Sequence, residues 1–343
     1  MKRDIILDAW RGVAILMVIA HHLLYFHFDT ANTIVRFFAE RSGPWGVKLF
    51  FIISGYIITR LMLEEESLQG SLSLYAFYVR RIFRILPPYL FYVVAVAGFA
   101  GLGWVPLSLS DGAHALGFIC NTGVDCNWQV IHTWTLAIEV QFYLVWPLVF
   151  VLLPAWWRGY FLSALIAVLV ALSAFELFMA RGWIDNAGSF ACIALGALYA
   201  TSPRFRGYIR RFGLWTLAAG ALAVALFLAL GWGDAAHALY RALIPAALVV
   251  AVFLPYQYAA LARLRPVAWL SYIGLISYSL YLWQQVFAAP AENYLHPSLL
   301  QYSLLMVAFA FLSYYMVELP SVRLGKAVLH RKVTQTEREA QGL

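Results

Sequence analysis

Charged side chains are scarce in this chain of 343 residues, and their scarcity excludes most soluble folds. They make up 12% of the residues, whereas about 25% is usual in a soluble domain. Hydrophobic residues make up 63% of the chain, and its mean hydropathy is +0.76. Because no polar stretch is long enough to fold as a soluble domain, the composition predicts an all-α, polytopic membrane helical bundle.

Cysteine is equally scarce, with three residues in the chain. Cys120 and Cys126 stand close together in a predicted loop, where a disulfide could form if the loop faces an oxidising compartment. Two free thiols are the alternative. Cys192 lies alone in an apolar run and is predicted to pack in the core.

Several motifs that identify catalytic sites are absent as well. The sequence contains no HExxH, no GxSxG and no phosphate-binding loop of the GxxxxGK type. The spacing of its histidines and cysteines does not favour a metal site. We therefore expect no metal and no tightly bound cofactor.

Ten apolar runs approach the length needed to cross the roughly 30 Å hydrocarbon core of a bilayer, although the sixth is short. They lie at 10–28, 45–63, 85–104, 132–153, 160–180, 187–201, 213–232, 239–258, 268–288 and 299–317. An even number of spans puts both termini on the same side of the membrane. We divide the chain into a membrane domain, residues 1–322, and a short basic tail, residues 323–343.

The distribution of lysine and arginine predicts which side that is. With the N-terminus inside, the inner segments hold 18 of these residues and the outer segments hold 5, with Arg11 counted in neither. Such residues concentrate on the cytoplasmic side of membrane proteins, so both termini are predicted to be cytoplasmic. The formal net charge of +7 is explained by this topology, and nucleic acid is not expected as a partner.

Arg11 and His22 lie inside the first predicted span, where a cation and an imidazole are costly to bury and usually mark a functional cavity. They are eleven positions apart, which puts both side chains on one helix face, about 16 Å apart along the axis. Asp8 shares that face near the inner end. A neutral imidazole can accept a proton at neutral pH, so His22 could activate a hydroxyl for attack on an acyl group. The alternative is that Arg11 extends to the lipid headgroups and the histidines bond backbone groups.

Arg81 and Arg84 stand three residues apart at the inner end of the third span, with Arg80 beside them. This spacing brings two guanidinium groups to one helix face, where they could bind phosphate in a bidentate manner. Ordinary anchoring at the cytoplasmic surface is the alternative. Pro87 and Pro88 follow and are predicted to break or kink the helix.

Glu139 lies in the fourth span, about one third of the way in from the outer face. A carboxylate at that depth needs a partner or a proton. It could bond an imidazole such as His22 and set its tautomer, or pair with an arginine for structural reasons alone. At the outer end of the same span, His132, Trp134 and Thr135 are candidates for binding an acceptor, although His132 equally fits an ordinary interfacial residue.

Five motifs follow one another along the chain in the order of a known family. They are LDAWRGVAILMVIAHH, GVKLFFIISGYII, FYVRRIFRILPPY, WTLAIEVQFYLVWP and SYSLYLW. Each motif is loose by itself, but the set, from Leu7 to about Pro320, resembles acyltransferase family 3 of integral membrane acyltransferases. The resemblance implies transfer of an acyl group, usually acetyl, from cytoplasmic acetyl-CoA to a hydroxyl of an extracytoplasmic carbohydrate, such as a cell-surface polysaccharide or lipopolysaccharide. It also implies a multi-pass protein of the bacterial inner membrane.

The resemblance suggests a role for each candidate residue. The Arg-x10-His pattern of the family falls on Arg11 and His22, and its Arg-x-x-Arg pattern falls on Arg81 and Arg84. Its acidic position in the fourth span falls on Glu139. The arginine pair is then expected to contact the phosphates of CoA, the co-substrate, with Arg11 near the entrance for its pantetheine arm. His22 is expected to act as general base or as nucleophile.

The chain departs from the family pattern in several places. The motif in the ninth span often continues Trp-His, and here it reads Trp283-Gln284. Lys48 stands where many relatives carry an acid, and Val140 where many carry a second one. These differences bear on the acceptor more than on the reaction. Some relatives carry a C-terminal esterase-like domain, and the short tail here suggests a transferase domain by itself.

A transporter or flippase for a glycan or small molecule is the rival class, because intramembrane Arg, His and Glu also suit proton-coupled export. Against it, the sequence shows no pair of broken helices in corresponding halves, the usual sign of inverted repeats. The sequence gives no indication of the oligomeric state.

Overall fold

The computed structural model describes residues 3–27, 33–178, 185–230, 234–288 and 299–340, and within these ranges the chain is helical without any β-strand. The α-helices are α1 (Ile5–His27), α2 (Thr33–Gln69), α3 (Leu74–Gly101), α4 (Leu109–Leu116), α5 (Trp128–Ile131), α6 (Trp134–Leu152), α7 (Ala155–Phe178), α8 (Asn186–Thr201), α9 (Pro203–Leu230), α10 (Asp234–Tyr256), α11 (Arg265–Leu275), α12 (Ser277–Phe287), α13 (Leu299–Ser313) and α14 (Leu319–Ala340). A 3-10 turn, Ala259–Arg263, precedes α11, and a π-helical turn, Tyr314–Glu318, joins α13 to α14. The predicted all-α class is confirmed.

Within the described residues, seven helical stretches are long and apolar enough to cross a membrane, which confirms a polytopic membrane fold. They correspond to the predicted spans one to five, seven and ten. The helices at the sixth and eighth spans, α8 and α10, are apolar but shorter in their described parts. Ten crossings, and cytoplasmic positions for both termini, stay predictions.

The ninth predicted span, residues 268–288, is not one helix but two. α11 ends at Leu275 and α12 begins at Ser277, with Ile276 between them outside the regular helical conformation. Irregular backbone is tolerated at membrane depth where it lines a cavity. Leu275 and Ser277 both line the cavity described below, so the break between α11 and α12 lies in the wall of that cavity.

α3 runs without interruption through Pro87 and Pro88, so the predicted helix break is wrong. Proline removes a backbone donor and ordinarily disrupts a helix interior, but neighbouring groups can satisfy the freed backbone in a membrane helix. The prolines free the carbonyl oxygens of Phe83 and Arg84, and the hydroxyl of Tyr278, on α12, donates to the next carbonyl oxygen, that of Ile85, at 2.9 Å. The arginines of α3 therefore stand on a continuous helix.

Two pairs of glycines hold the central helices together at very short distances. A Cβ on Gly12 of α1 would lie 2.1 Å from a carbonyl oxygen of α11, and one on Gly274 of α11 would lie 1.8 Å from the carbonyl oxygen of Asp8. Gly55 of α2 and Gly196 of α8 meet in the same reciprocal way, at 1.9 and 2.0 Å. Small residues of this kind let membrane helices pack backbone against backbone. The contacts fix α1 on α11 and α2 on α8.

Ion pairs join neighbouring helices at one end of the bundle, which we call the basic end and define by Arg60, Arg80 and Arg158. Arg80 of α3 pairs with Glu65 of α2 at 2.5 Å. Arg158 of α7 is 4% exposed and makes two hydrogen bonds to Glu66, at 2.6 and 2.8 Å. This is the end that the count of lysine and arginine predicts to be cytoplasmic.

The opposite end of the bundle carries the loop between α4 and α5, and we call it the disulfide end. Cys120 and Cys126 are bonded there, which decides between the two alternatives that the sequence left open. Asp111 caps the start of α4 and accepts a hydrogen bond from the backbone N–H of Asn127 at 2.7 Å. Cys192 is a buried free thiol in α8, as predicted.

Candidate active site

A cavity of about 570 Å³ reaches from the basic end into the bundle. α2 supplies an apolar wall that includes Phe50, Phe51 and Ile57. Polar and charged side chains from five other helices and from the π-helical turn complete the lining. They are Asp8, Arg11, Arg80, Arg81, Arg84, Thr133, Thr135, Glu139, Tyr143, Ser277, Tyr278, Tyr281, Tyr314 and Lys326.

Five of the residues predicted to form a site meet in this cavity, namely Arg11, Arg81, Arg84, Glu139 and Thr135. They come from α1, α3 and α6, which are far apart in sequence. The lining is strongly basic, because it holds five cationic side chains against two carboxylates. A cavity of this size with convergent polar groups is typical of a ligand site, and its charge favours an anionic ligand.

Arg11 lies inside the bundle and not among the lipid headgroups. Its guanidinium lines the cavity, and its Nη1 atom is 4.0 Å from Oδ1 of Asp8, one turn earlier on α1. Asp8 in turn accepts a hydrogen bond from Arg3 at 2.9 Å. The predicted common face of Asp8 and Arg11 is therefore confirmed.

Arg81 and Arg84 both line the cavity but differ in their partners. Arg84 is 3.4 Å from Glu318, a buried acid in the π-helical turn that also accepts a hydrogen bond from Ser279 at 2.8 Å. The guanidinium of Arg81 faces the rings of Phe77 and Tyr143, 5.9 and 5.8 Å from their centres. Within the part of the chain that the structure describes, Nε of Arg81 is buried without a hydrogen-bond partner. A buried donor without a partner is costly, which points to a ligand at this position.

Glu139 accepts a hydrogen bond from the hydroxyl of Ser54 on α2 at 2.7 Å. It is not hydrogen-bonded to His22, so the proposed direct contact between these two residues is wrong. The two side chains have different partners, since Glu139 bonds Ser54 of α2 and His22 bonds Gln284 of α12. Glu139 remains a cavity residue beside the arginines.

His22 does not line the cavity but lies beyond its inner end. The cavity is bounded there by Tyr281 of α12, and the residue that bonds His22 is Gln284, one helical turn further along. Three residues of helix rise by about 4.5 Å. The ring of His22 also contacts the edge of Trp128, with 5.6 Å between ring centres. Arg11 and His22 are thus on one helix but in two separate environments.

A row of hydrogen bonds sets the tautomer of His22. The backbone carbonyl of Trp128 can only accept, and it accepts from Nε2 of Gln285 at 2.9 Å. Oε1 of Gln285 then accepts from Nε2 of Gln284 at 3.2 Å, and Oε1 of Gln284 faces Nδ1 of His22 at 2.6 Å. Because an amide oxygen accepts only, Nδ1 must carry the proton. The neutral ring therefore has its lone pair on Nε2.

The three residues predicted to bind an acceptor are dispersed. Thr135 lines the cavity, where its hydroxyl bonds that of Tyr281 at 2.7 Å. His132 is 4% exposed and lies between the rings of Tyr92 and Tyr281, at 5.4 and 5.5 Å. Trp134 packs against Phe51. Because His132 is buried among aromatic rings and not at an open outer mouth, its role in binding an acceptor, like that of Trp134, stays a prediction.

The sequence did not single out several residues of this region. Lys326, Tyr143 and Ser54 take part in the cavity or its hydrogen bonds. Gln284 and Gln285 have their partners on α1 and α5, which local sequence cannot indicate. No group of acidic, histidine or cysteine side chains suited to a metal occurs in the described ranges.

The fold and the cavity together define a multi-pass membrane protein with a basic internal cavity. Residues 4–318 match the model of the family described as an acyltransferase domain. The chain therefore belongs to this acyltransferase family, as its five motifs predicted.

Named relatives support the same class. A protein of Komagataeibacter xylinus with the provisional name membrane-bound transacylase BcsY is 29% identical over 92% of this chain and 82% of its own length. The peptidoglycan O-acetyltransferase OatA of Listeria monocytogenes is 29% identical over 44% of this chain. The O-acetyltransferase OatA of Staphylococcus aureus is 33% identical over 42%. The matches span about a quarter of the OatA chains, 24% in each case. No solved structure matches this chain.

Proposed function

We propose that the chain is an O-acyltransferase of the bacterial inner membrane that uses acyl-CoA, with acetyl as the acyl group. The acceptor is a hydroxyl of an extracytoplasmic carbohydrate. The observation that carries the proposal is the basic cavity, in which Arg11, Arg81 and Arg84 converge in a chain of the acyltransferase family. The relatives named as O-acetyltransferases support the reaction type.

The donor end of the reaction follows from the charge of the cavity. Guanidinium groups bind phosphates through paired hydrogen bonds, and CoA carries phosphates at one end and its thioester at the other. With the phosphates near Arg81 and Arg84 at the basic end, the pantetheine arm would extend past Arg11 along the apolar wall of α2. The thioester would then reach the inner end of the cavity beside Thr135 and Tyr281.

The chemical step depends on Nε2 of His22. In one route, Nε2 accepts the proton of the acceptor hydroxyl while the oxygen attacks the thioester carbonyl. The C–S bond breaks, the sulfur leaves as the thiolate of CoA, and the histidine returns its proton to that thiolate. In the other route, Nε2 attacks the thioester carbonyl, the C–S bond breaks and the thiolate of CoA leaves. The acceptor oxygen then takes the acyl group from Nε2, the C–N bond breaks, and the hydroxyl proton passes to the thiolate. Both routes need the tautomer that Gln284 and Gln285 support.

The side chain of Tyr281 stands between the cavity and the histidine in this conformation. Its hydroxyl bonds Thr135 and the backbone carbonyl of His132, at 2.7 and 2.9 Å. A donor thioester can meet His22 only if this ring moves, so the proposal requires that α12 or the Tyr281 side chain rearranges when the donor binds.

Purified protein in detergent with radiolabelled acetyl-CoA and candidate sugars tests the function. We expect acetylated sugar, together with slow hydrolysis of the thioester in its absence. Transport of a glycan across vesicles without any turnover of acetyl-CoA would instead support the rival transporter, a class for which a broken helix such as α11–α12 is also typical.

A further inference from the structure

The last helix contributes to the basic cavity although it lies beyond the region that matches the family. The match ends at residue 318, and α14 begins at Leu319. Val322, Gly325 and Lys326 of α14 line the cavity at the basic end. This part of the cavity lining therefore lies outside the matched residues.

α14 is held tightly against α3 at the level of the arginines. A Cβ on Gly325 would lie 2.8 Å from Cβ of Phe83, so the two helices touch where a larger residue would separate them. Phe83 directly precedes Arg84 and lies three residues after Arg80. The close contact therefore brings Lys326, next to Gly325, to the same rim of the cavity as the cations of α3.

Lys326 differs from these cations in exposure and partners. It is exposed, whereas Arg84 pairs with Glu318 and Arg80 with Glu65. In the described ranges no carboxylate forms an ion pair with Lys326. An ammonium group of this kind can bind a phosphate from solvent without first giving up a partner.

We propose that Lys326 binds the 3′-phosphate of CoA and makes the enzyme select donors that carry it. This inference rests on the proposed function. Along CoA, the thioester and pantetheine arm come first, the pyrophosphate next, and the ribose with its 3′-phosphate last. When the thioester points inward, the buried Arg81 is at the depth of the pyrophosphate. The exposed Lys326 at the rim is at the place of the last phosphate.

Comparison of acetyl-CoA with acetyl-dephospho-CoA, which lacks only the 3′-phosphate, tests the inference on the full-length protein in detergent. Wild type should prefer acetyl-CoA in kcat/KM by about tenfold, the size expected for one charged hydrogen bond. Lys326→Ala should reduce the preference to about one by raising KM for acetyl-CoA, with acetyl-dephospho-CoA unaffected. Lys326→Arg should keep most of the preference, and added salt should reduce it in wild type.

Arg323→Ala is the matched control, because Arg323 is an exposed cation one turn earlier on α14 and does not line the cavity. It should leave the preference unchanged. The inference would be overturned if wild type showed no preference for the 3′-phosphate. It would also be overturned if Lys326→Ala lowered kcat/KM equally for both donors. In either case the proposed function would stand. Failure to use either donor in wild type would overturn the proposed function itself, and this inference with it.

Discussion

The two ends of the candidate site solve different physical problems with different side chains. The cavity at the basic end holds full charges, and two of its cations pair with acids on other elements, Arg80 with Glu65 and Arg84 with Glu318. The surroundings of His22 contain neutral groups, since Gln284 and Gln285 connect it to a backbone carbonyl. Only one helical turn of α12 separates the two regions.

This difference matches the tasks that the proposal gives to each region. Phosphates bind to positive charge. The basic end can hold arginines inside the protein because the acids paired with them offset the cost of removing their charge from water. A proton acceptor needs a fixed lone pair, and a row of amides supplies direction without adding charge. The residues of each region should therefore affect different kinetic constants.

Replacement of His22 should have the largest effect. Loss of a general base typically costs about 10²–10⁴-fold in rate, so His22→Ala should lower kcat by that factor while the protein still inserts into the membrane. Acetyl transfer by the purified variant, compared at equal protein, measures it. His114→Ala is the control, because His114 lies in α4 and does not line the cavity. A fully active His22→Ala variant would end the mechanism.

Replacement of Arg81 should have the next largest effect, and it should change KM and not kcat. A charged hydrogen bond is worth about 1.5–3 kcal/mol, so Arg81→Ala should raise KM for acetyl-CoA by about 10- to 100-fold. Arg81→Lys should lie between, since lysine keeps the charge but not the bidentate geometry. A fall in kcat at unchanged KM would contradict the division of tasks between the two regions.

Replacement of Gln284 should have a smaller effect, confined to kcat. Gln284→Met removes the acceptor for Nδ1 of His22, and we expect a loss of about tenfold, the size of one hydrogen bond. Gln284→His should retain most activity, because histidine can accept the same bond and is the residue that the family resemblance puts at this position. Equal activity of the methionine and histidine variants would show that the hydrogen bond from residue 284 to His22 plays no part in the mechanism.

The smallest effect should come from replacing a glycine at the contact between α2 and α8, which supports both regions. Gly55→Ala adds a Cβ 1.9 Å from a carbonyl oxygen of α8, and overpacking of this kind costs about 1–3 kcal/mol. Thermal inactivation should therefore occur at lower temperature, without a selective change in KM or kcat.

Gly98→Ala provides the matched comparison, because its Cβ would meet nothing within 4 Å. It should stabilise α3 slightly, by up to about 1 kcal/mol. Should both alanine variants inactivate at the same temperature, the close packing of α2 on α8 would not limit stability.

Periodicity and motif order predicted much of this molecule. The shared face of Asp8 and Arg11 follows from three-residue spacing alone. Arg11 was recognised because charge inside a membrane span is costly and therefore informative, and Arg81 because its spacing from Arg84 brings two guanidinium groups to one helix face.

The rest depended on contacts between distant segments. The division between α11 and α12 occurs without a proline, so no local signal marks it. α3 continues through Pro87 and Pro88 in a structure where Tyr278 supports the same turn, although proline alone predicts a break. The partner of Glu139 is a serine on another helix and not a histidine. Local sequence determines which residues are polar, but tertiary packing determines which of them meet.

The reciprocal contact of Gly12 and Gly274 has a consequence for the depth of Arg11 in the bilayer. The carbonyl of Asp8 occupies the space that a Gly274 side chain would fill. α1 can therefore neither slide nor rotate against α11 without collision. Because these two glycines have no side chain, the backbones of α1 and α11 pack in a single register. That register fixes the position of the Arg11 guanidinium along the helix axis to within a fraction of a helical pitch.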